Sequence, residues 1–174
     1  MKTSERVHSL VLSALLGGLI FVGGLIRIPL GPLPFTFQTM FVLLSGLLLT
    51  PSAAAYATLL HLMLKIIFAG ASAVLSPSFG FVLAFIPAAA LLAYLTRVRG
   101  SSALQKAINL MLVSFLIYLI GLPYMVLVLG YVSGQTLTFH SIVFSGMLIF
   151  LPGDALKIVL ALIVEGRLRP AMAG

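Results

Sequence analysis

Three charged side chains, Lys65, Asp154 and Lys157, interrupt long apolar stretches of this chain. If those stretches lie in a bilayer, a charge at their centre costs about 2.5–3.5 kcal/mol on insertion scales. Charged residues retained at such a cost usually face a cavity or a partner group and serve binding or transport. Each of the three is therefore a candidate for contact with a polar ligand.

Asp154 and Lys157 are three residues apart, a spacing that places them on one face of a helix, about a turn apart. Pro152 and Gly153 precede them. If Pro152 is the first helical residue, Asp154 falls in the first turn, where the helix dipole favours an anion. The pair is either a ligand site that offers a cation and an acceptor together, or an internal salt bridge that neutralises itself.

The remaining polar candidates each have a structural interpretation beside the functional one. Lys65 either extends to the membrane interface or contacts a ligand, and Arg27 is expected to anchor the end of the first helix. Thr36 and Gln38 are either helix caps or hydrogen-bond partners of a ligand. His61 is expected to be an interior histidine.

Catalytic and metal centres are not expected. The three histidines are far apart in the sequence, and the chain has no cysteine for a thiolate site. We find no paired carboxylates, no nucleophile with a base, and no G-x-x-x-x-G-K-[ST] loop for a nucleotide. The basic residues are scattered rather than interleaved with aromatic residues, so nucleic-acid binding is not expected either. If ATP drives transport here, another chain must hydrolyse it.

The composition requires a lipid environment. Of 174 residues, 61% are hydrophobic and 7% are charged, and the mean hydropathy is +1.25. Soluble domains are about a quarter charged. The chain is therefore predicted to be an all-α integral membrane protein with a single transmembrane domain.

A spanning helix needs roughly 20 apolar residues, and six candidate segments follow one another along the chain. The stretch after the first is rich in proline and predicts a turn. The second segment is short for a span. The six segments are 7–26, 36–49, 53–68, 79–96, 107–129 and 144–164.

Basic residues give the orientation of these helices. With six spans both termini lie on one side, and seven lysines and arginines fall on that side, against Arg27 alone on the other. Cytoplasmic segments carry the excess of Lys and Arg. Both termini and the loop 97–106 are therefore predicted to be cytoplasmic.

Small residues recur at helical spacing in the first helix. Ser13 and Gly17 form part of one stripe, and Ala14 and Gly18 form the next. Small residues allow two helices to approach closely. The stripes predict either packing within the monomer or an interface with a partner helix.

Two motifs resemble those of one family. Residues 27–39 (RIPLGPLPFTFQT) resemble the first loop and second helix of the BioY family, the biotin-specific substrate-binding (S) subunits of energy-coupling-factor vitamin transporters. Residues 151–157 (LPGDALK) resemble that family's Pro-Gly-Asp-x-x-Lys signature in the last helix. Order and spacing fit over nearly the whole chain. The chain departs from the family pattern at residues 76–81 (SPSFGF), where the family usually has the end of a glycine-rich third loop. It also departs at His61 and Lys65, where the pattern leads us to expect tyrosine and glycine.

The resemblance implies the six-helix S-component fold in a prokaryotic cell membrane, with a biotin pocket near the outer face. It implies that Asp154 and Lys157 line the pocket and that the small-residue face of the first helix docks on a transmembrane coupling (T) subunit driven by two ATPases. Lys157 or Lys65 could meet the biotin carboxylate, and Asp154 could accept from the ureido ring. The predicted substrate-binding residues are Asp154, Lys157, Gln38, Thr36, Lys65 and Phe79, and the predicted interface residues are Ala14, Gly18, Ser13 and Gly17.

Alternatives to this function remain open. The protein could bind another small vitamin or precursor, or could transport biotin without dedicated partners. A membrane-embedded enzyme lacks a supporting arrangement of residues. A purely structural subunit would leave the charges of Asp154 and Lys157 without a purpose.

Overall fold

The computed structural model describes residues 3–99 and 102–173, and within them the chain is mostly helical. Seven α-helices and one β-hairpin make up the described part, joined by short 3₁₀ and π turns. The elements are α1 (Thr3–Gly23), β1 (Arg27–Leu30), β2 (Leu33–Thr36), α2 (Gln38–Leu48), α3 (Pro51–Ala69), α4 (Phe79–Val98), α5 (Ala103–Leu127), α6 (Phe139–Gly146) and α7 (Leu151–Ala173). Residues 100–101, inside the loop predicted to be cytoplasmic, lie outside the described residues.

Five helical stretches in the described part of the chain are long and apolar enough to cross a membrane. They contain α1, α3, α4 and α5, and the last combines α6 with α7. The prediction of a mostly helical membrane protein is confirmed at this level. The predicted second span is the exception, because α2 has only 11 residues, and the count of six spans stays a prediction.

The proline-rich stretch forms a β-hairpin where the sequence predicted only a turn. The strands are antiparallel, with Arg27 opposite Thr36 and Pro29 opposite Pro34. Each strand of a two-stranded sheet has one free edge, and prolines are tolerated on strand edges because they have no N–H to pair. Gly31 in the connecting turn has φ of 79°, a conformation that favours glycine.

The last predicted helix, 144–164, is wrong as a single continuous segment. The chain forms α6, leaves helical geometry at Met147 (φ −137°, ψ −63°), makes the short 3₁₀ turn Leu148–Phe150 and restarts as α7 at Leu151. Pro152 explains the restart, because proline is tolerated in the first turn of a helix but disrupts its interior. Asp154 therefore lies in the first turn of α7, as its spacing from Pro152 predicted.

The other helices differ from the predicted boundaries by up to four residues. The start of α1 shifts by four residues, to Thr3 instead of 7, and α5 shifts as far, beginning at Ala103 instead of 107. Ser102 explains this start, because its hydroxyl accepts a hydrogen bond from the backbone N–H of Gln105 at 3.3 Å and so caps the helix. Thr50 caps α3 in the same way, through Ala53 at 3.2 Å.

The short helix α2 lies in the centre of the molecule. Residues 42–47 of α2 are all buried, and the helix packs against α1, α3, α4 and α7. Gly46 allows the close approach to α4, because a Cβ atom there would come within 2.8 Å of Leu92. The core around α2 is mainly leucine, valine and alanine.

A cluster of charged residues around the buried Glu165 joins three helices about two turns beyond Lys157 along α7. Glu165 is 2% exposed, and both of its carboxylate oxygens accept from Lys106 Nζ of α5 at 2.8 Å. Arg169 Nε lies 2.8 Å from the same carboxylate, and Arg169 Nη2 donates to the Leu47 carbonyl of α2 at 3.3 Å. Glu165 therefore holds α2, α5 and α7 together at one end.

Removing this carboxylate should destabilise the protein. In Glu165→Ala the partly buried Lys106, whose side chain is 12% exposed, loses its counter-charge, and breaking a buried ion pair on one side costs about 3–5 kcal/mol. We expect a clear drop in the thermal midpoint of the purified protein in detergent. The double variant Lys106→Met, Glu165→Met is the control and should recover much of the loss, because it leaves neither charge alone. A Glu165→Ala protein as stable as the wild type would contradict this role.

Candidate functional site

A cavity of about 910 Å³, counting its open mouth, lies between the hairpin and the surrounding helices. Residues from α1, the hairpin, α2, α3, α4, α5 and α7 line it. Among them are five of the six residues predicted to bind substrate: Thr36, Gln38, Lys65, Asp154 and Lys157. The fold therefore brings together side chains that are more than 100 positions apart in the sequence.

The first polar group of the cavity is centred on Asp154, and we name Asp154, Lys157 and Tyr118 the aspartate cluster. Lys157 Nζ donates to Asp154 Oδ1 at 2.9 Å, and the Tyr118 hydroxyl donates to Asp154 Oδ2. All three residues are buried. The carboxylate also lies in the first turn of α7, where the helix dipole stabilises it. One buried negative charge is thus balanced by one cation, one hydroxyl and one helix end.

Tyr118 was missed by the sequence analysis. It is 36 positions from Asp154 on a different helix, and a single tyrosine in an apolar helix has no distinguishing pattern. The only available signal was that a buried tyrosine hydroxyl usually finds a hydrogen-bond partner.

The hairpin closes over the aspartate cluster through Phe35. The Phe35 ring centroid is 4.1 Å from Lys157 Nζ, a cation–π contact. Gly153 makes this approach possible, because a Cβ atom at that position would overlap the Phe35 ring. The glycine of the Pro-Gly-Asp motif therefore has a steric role, which is to let the hairpin pack on α7.

A chain of hydrogen bonds links the hairpin to α3. Thr36 Oγ1 donates to Gln38 Oε1 at 3.3 Å, which assigns Gln38 Nε2 as the donor to His61 Nε2 at 3.0 Å. In this arrangement the His61 ring proton is on Nδ1. His61 is 1% exposed, and its Nδ1 has no hydrogen-bond partner among the residues that the structure describes. His61 is interior as expected, yet it also lines the cavity with one ring nitrogen unsatisfied.

Lys65 lies one turn beyond His61 on α3. Its Nζ donates to Ser78 Oγ at 3.4 Å, and Ser78 Oγ lies 2.9 Å from Ser76 Oγ. Arg27, at the start of the hairpin, also lines the cavity, and its Nε donates to the Gly24 carbonyl at 2.9 Å. Lys65, which was predicted to bind substrate, and Arg27, which was expected to be an anchor, therefore both face the cavity.

Phe79 is the one predicted substrate-binding residue that does not line the cavity. It is buried against Tyr124, with ring centroids 5.9 Å apart. Apolar walls come instead from other aromatic residues, namely Phe21, Phe35, Phe81, Phe85 and Phe150. Helical phase separates the two sets on α4, because Phe81 and Phe85 lie on a different face from Phe79.

The small residues of α1 divide into two sets. Ser13 and Gly17 are buried against α3: Ser13 Oγ donates to the Ala53 carbonyl at 3.0 Å, and a Cβ atom on Gly17 would come within 2.7 Å of the Ala57 oxygen. Ala14 is exposed, and a Cβ atom on Gly18 would meet nothing within 4 Å. The first stripe therefore packs within the monomer, and the second faces outward.

The composition of the cavity wall is typical of a small-molecule binding site. Apolar walls surround a few polar groups, as is usual for small-molecule pockets. Within residues 3–99 and 102–173 no group of three potential metal ligands occurs. The charged lining residues are Arg27, Lys65, Lys157 and Asp154, three cations to one anion, so a largely apolar molecule with a negative charge fits best.

The chain is similar to known proteins over its whole length. A family model described as "BioY family" matches residues 1–174. The chain is 31% identical over 174 residues to the probable biotin transporter BioY of Pyrococcus horikoshii, covering 94% of this chain and 98% of that protein. It is 31% identical over 172 residues to the biotin transporter BioY of Thermotoga maritima, covering 94% and 96%.

A solved structure shares the fold. The S-component for biotin from an ECF-type ABC transporter superimposes with a TM-score of 0.81 at 25% sequence identity. The match covers 98% of this chain and 95% of that one.

Proposed function

Because the chain belongs to the BioY family, we propose that it binds biotin and mediates its uptake as the substrate-binding subunit of an ECF-type transporter. Such a protein is a multi-pass component of a prokaryotic membrane and a transporter rather than an enzyme. The observation that carries the proposal is the aspartate cluster in an apolar cavity. Its hydrogen-bonding capacity matches the ureido ring of biotin.

The match can be counted atom by atom. A carboxylate has about four acceptor sites, and Asp154 uses one on Oδ1 for Lys157 and one on Oδ2 for Tyr118. About two acceptor sites are left. The two N–H groups of the cyclic urea point apart, one on each side of the carbonyl oxygen, so Asp154 can accept from the N–H on the edge that faces it. Lys157 has three N–H donors and uses one for Asp154, so it can also donate to the ureido oxygen. Phe35 and the other aromatic walls would enclose the apolar ring and chain.

Calorimetric titration of the purified protein tests this function. We expect the wild type to bind biotin in preference to a panel of other water-soluble vitamins. Asp154→Asn should weaken biotin binding by about ten- to a hundred-fold, because a hydrogen bond to a charged group contributes about 1.5–3 kcal/mol. Tyr118→Phe should have a smaller effect, since it removes a group that positions the carboxylate.

The matched control is Glu165→Gln, which removes a buried carboxylate outside the cavity and should leave biotin affinity unchanged in folded protein. A wild type that prefers another vitamin would redirect the substrate assignment. A folded double variant, Asp154→Ala with Lys157→Ala, that binds biotin like the wild type would refute the site and leave the pair as a structural salt bridge.

Uptake driven by ATP requires partners, and we assign their docking surface to the outward stripe of α1, Ala14 and Gly18. The structural relative is an S-component of an ECF-type ABC transporter, which supports a transmembrane coupling subunit and two ATPase subunits as partners. Ala14 is exposed and Gly18 has open space beside it. A partner helix could therefore pack closely there.

Bulky substitutions distinguish the two stripes of α1. Ala14→Leu and Gly18→Leu should weaken copurification with the coupling subunit and biotin uptake, while biotin binding to the isolated protein persists. Gly17→Leu, one position away, should instead lower the thermal midpoint, because its side chain meets the Ala57 backbone. If Ala14→Leu leaves uptake intact in cells that carry the coupling subunit, the stripe is not the docking surface.

Orientation completes the proposal, with six spans and both termini in the cytoplasm. It is supported by the seven-to-one distribution of basic residues. Single cysteines can report it, because the chain has none of its own. An impermeant maleimide added to intact cells should label Gln135→Cys but not Gln105→Cys, at two exposed positions. The reverse pattern would place the termini outside.

A further inference from the structure

The cavity has a second polar group on the side of α3, formed by Lys65, Arg27 and His61. We name these three residues the basic cluster. All three line the cavity, and His61 and Lys65 are one helical turn apart on the same face of α3. The aspartate cluster belongs to α7 and α5, so the two groups come from different elements of the fold.

The two clusters differ in charge. Lys157 is compensated by Asp154 at 2.9 Å, so the aspartate cluster is neutral. Lys65 and Arg27 line the same cavity, and the structure gives neither an ion pair within the described residues. Their recorded side-chain partners are neutral oxygens, those of Ser78 and of the Gly24 carbonyl. The excess positive charge of the cavity therefore lies with Lys65 and Arg27.

The side chains of the basic cluster also have N–H groups that are not used in hydrogen bonds among the described residues. Among the described residues, Lys65 uses one of its three N–H groups on Ser78, and Arg27 uses only its Nε. His61 Nδ1 carries a proton and has no partner in the described part of the chain, although its side chain is almost completely buried. A buried donor without a partner is unfavourable, so a ligand oxygen within hydrogen-bond distance of it is favoured.

One short segment spans both clusters. Phe35 lies over Lys157, and Gln38 contacts His61. The Cα atoms of residues 35 and 38 are at most about 11 Å apart, because each residue of an extended chain adds no more than 3.6 Å. The segment that joins the two clusters is therefore short. Because both clusters also line the same cavity, a ligand that fills it contacts both.

We propose that the basic cluster is the subsite for the ligand's carboxylate and makes the protein selective for the free acid over uncharged derivatives. The inference rests on the proposed function, since it places the ureido ring of biotin at Asp154 and the acid end at Lys65. Lys157, which the sequence offered as an alternative partner for the carboxylate, is already neutralised and serves the ring. Lys65 is then the main specificity-determining residue, assisted by Arg27 and by the His61 N–H.

The test compares biotin with its uncharged primary amide on the full-length purified protein. The wild type should prefer the acid by about ten- to a hundred-fold, the range expected for a hydrogen bond between charged groups. Lys65→Met should remove this preference by weakening the acid alone. Lys65→Arg should keep it. Arg97→Gln, which removes an exposed cation at the end of α4, should not change it.

Lys157→Met separates the two assignments. It should weaken acid and amide alike, because both present the same ureido ring. If Lys157→Met removes the preference for the acid while Lys65→Met keeps it, the carboxylate lies at Lys157 and the proposal is wrong.

Three other outcomes also decide the question. A Lys65→Met protein that loses the amide as well shows that Lys65 supports the whole cavity and overturns the subsite. A wild type that binds biotin and its amide equally overturns acid selectivity while leaving the proposed function in place. A wild type that binds neither refutes the proposed function itself, and the subsite with it.

Discussion

The ion pair between Asp154 and Lys157 constrains the elements that surround the cavity. A buried carboxylate is tolerated only when cations and donors satisfy it, and the sequence of α7 supplies Lys157 one turn away. The rest must come from elsewhere in the fold, and Tyr118 of α5 provides it. The hairpin then covers the pair through Phe35. Three parts of the chain thus meet at one negative charge, and this meeting defines one wall of the cavity.

The neighbouring glycine and proline have separate tasks in this arrangement. Pro152 ends one helical segment and begins the next, which brings Asp154 into a first turn. Gly153 has no side chain to hold Phe35 away. The Pro-Gly-Asp motif therefore has two effects. It starts a new helix whose first turn lines the cavity, and it leaves room for the hairpin to pack against that helix.

Much of the fold could be predicted because hydrophobic length is a strong signal in membrane proteins. The apolar character of α1, α3, α4 and α5 is visible in composition alone. The hairpin was not predicted because proline is disfavoured in β-strands. Proline is tolerated on strands at the edge of a sheet, and both strands of this hairpin are edge strands. The break in the helix before α7 was not predicted, because apolar residues continue on both sides of it.

The candidate site was predictable where a residue was chemically out of place. Asp154, Lys157 and Lys65 are charges in apolar runs, and all three line the cavity. Phe79 and Tyr118 show the limit of this reasoning, because aromatic residues are ordinary in membrane helices and only helical phase and long-range contact decide which of them face inward. For the same reason the two small-residue stripes of α1 could not be separated before their neighbours on α3 were known.

The shortness of α2 has a consequence for where a solute can be held. A helix of 11 residues is about 16 Å long, roughly half the thickness of the hydrocarbon layer. Residues 42–47 of α2 are buried among other helices, and the cavity begins at its first residue, Gln38. At that end the chain places a hairpin and a cavity instead of further helical turns. The shortness of this one helix therefore leaves room for a solute among the helices rather than on their outer surface.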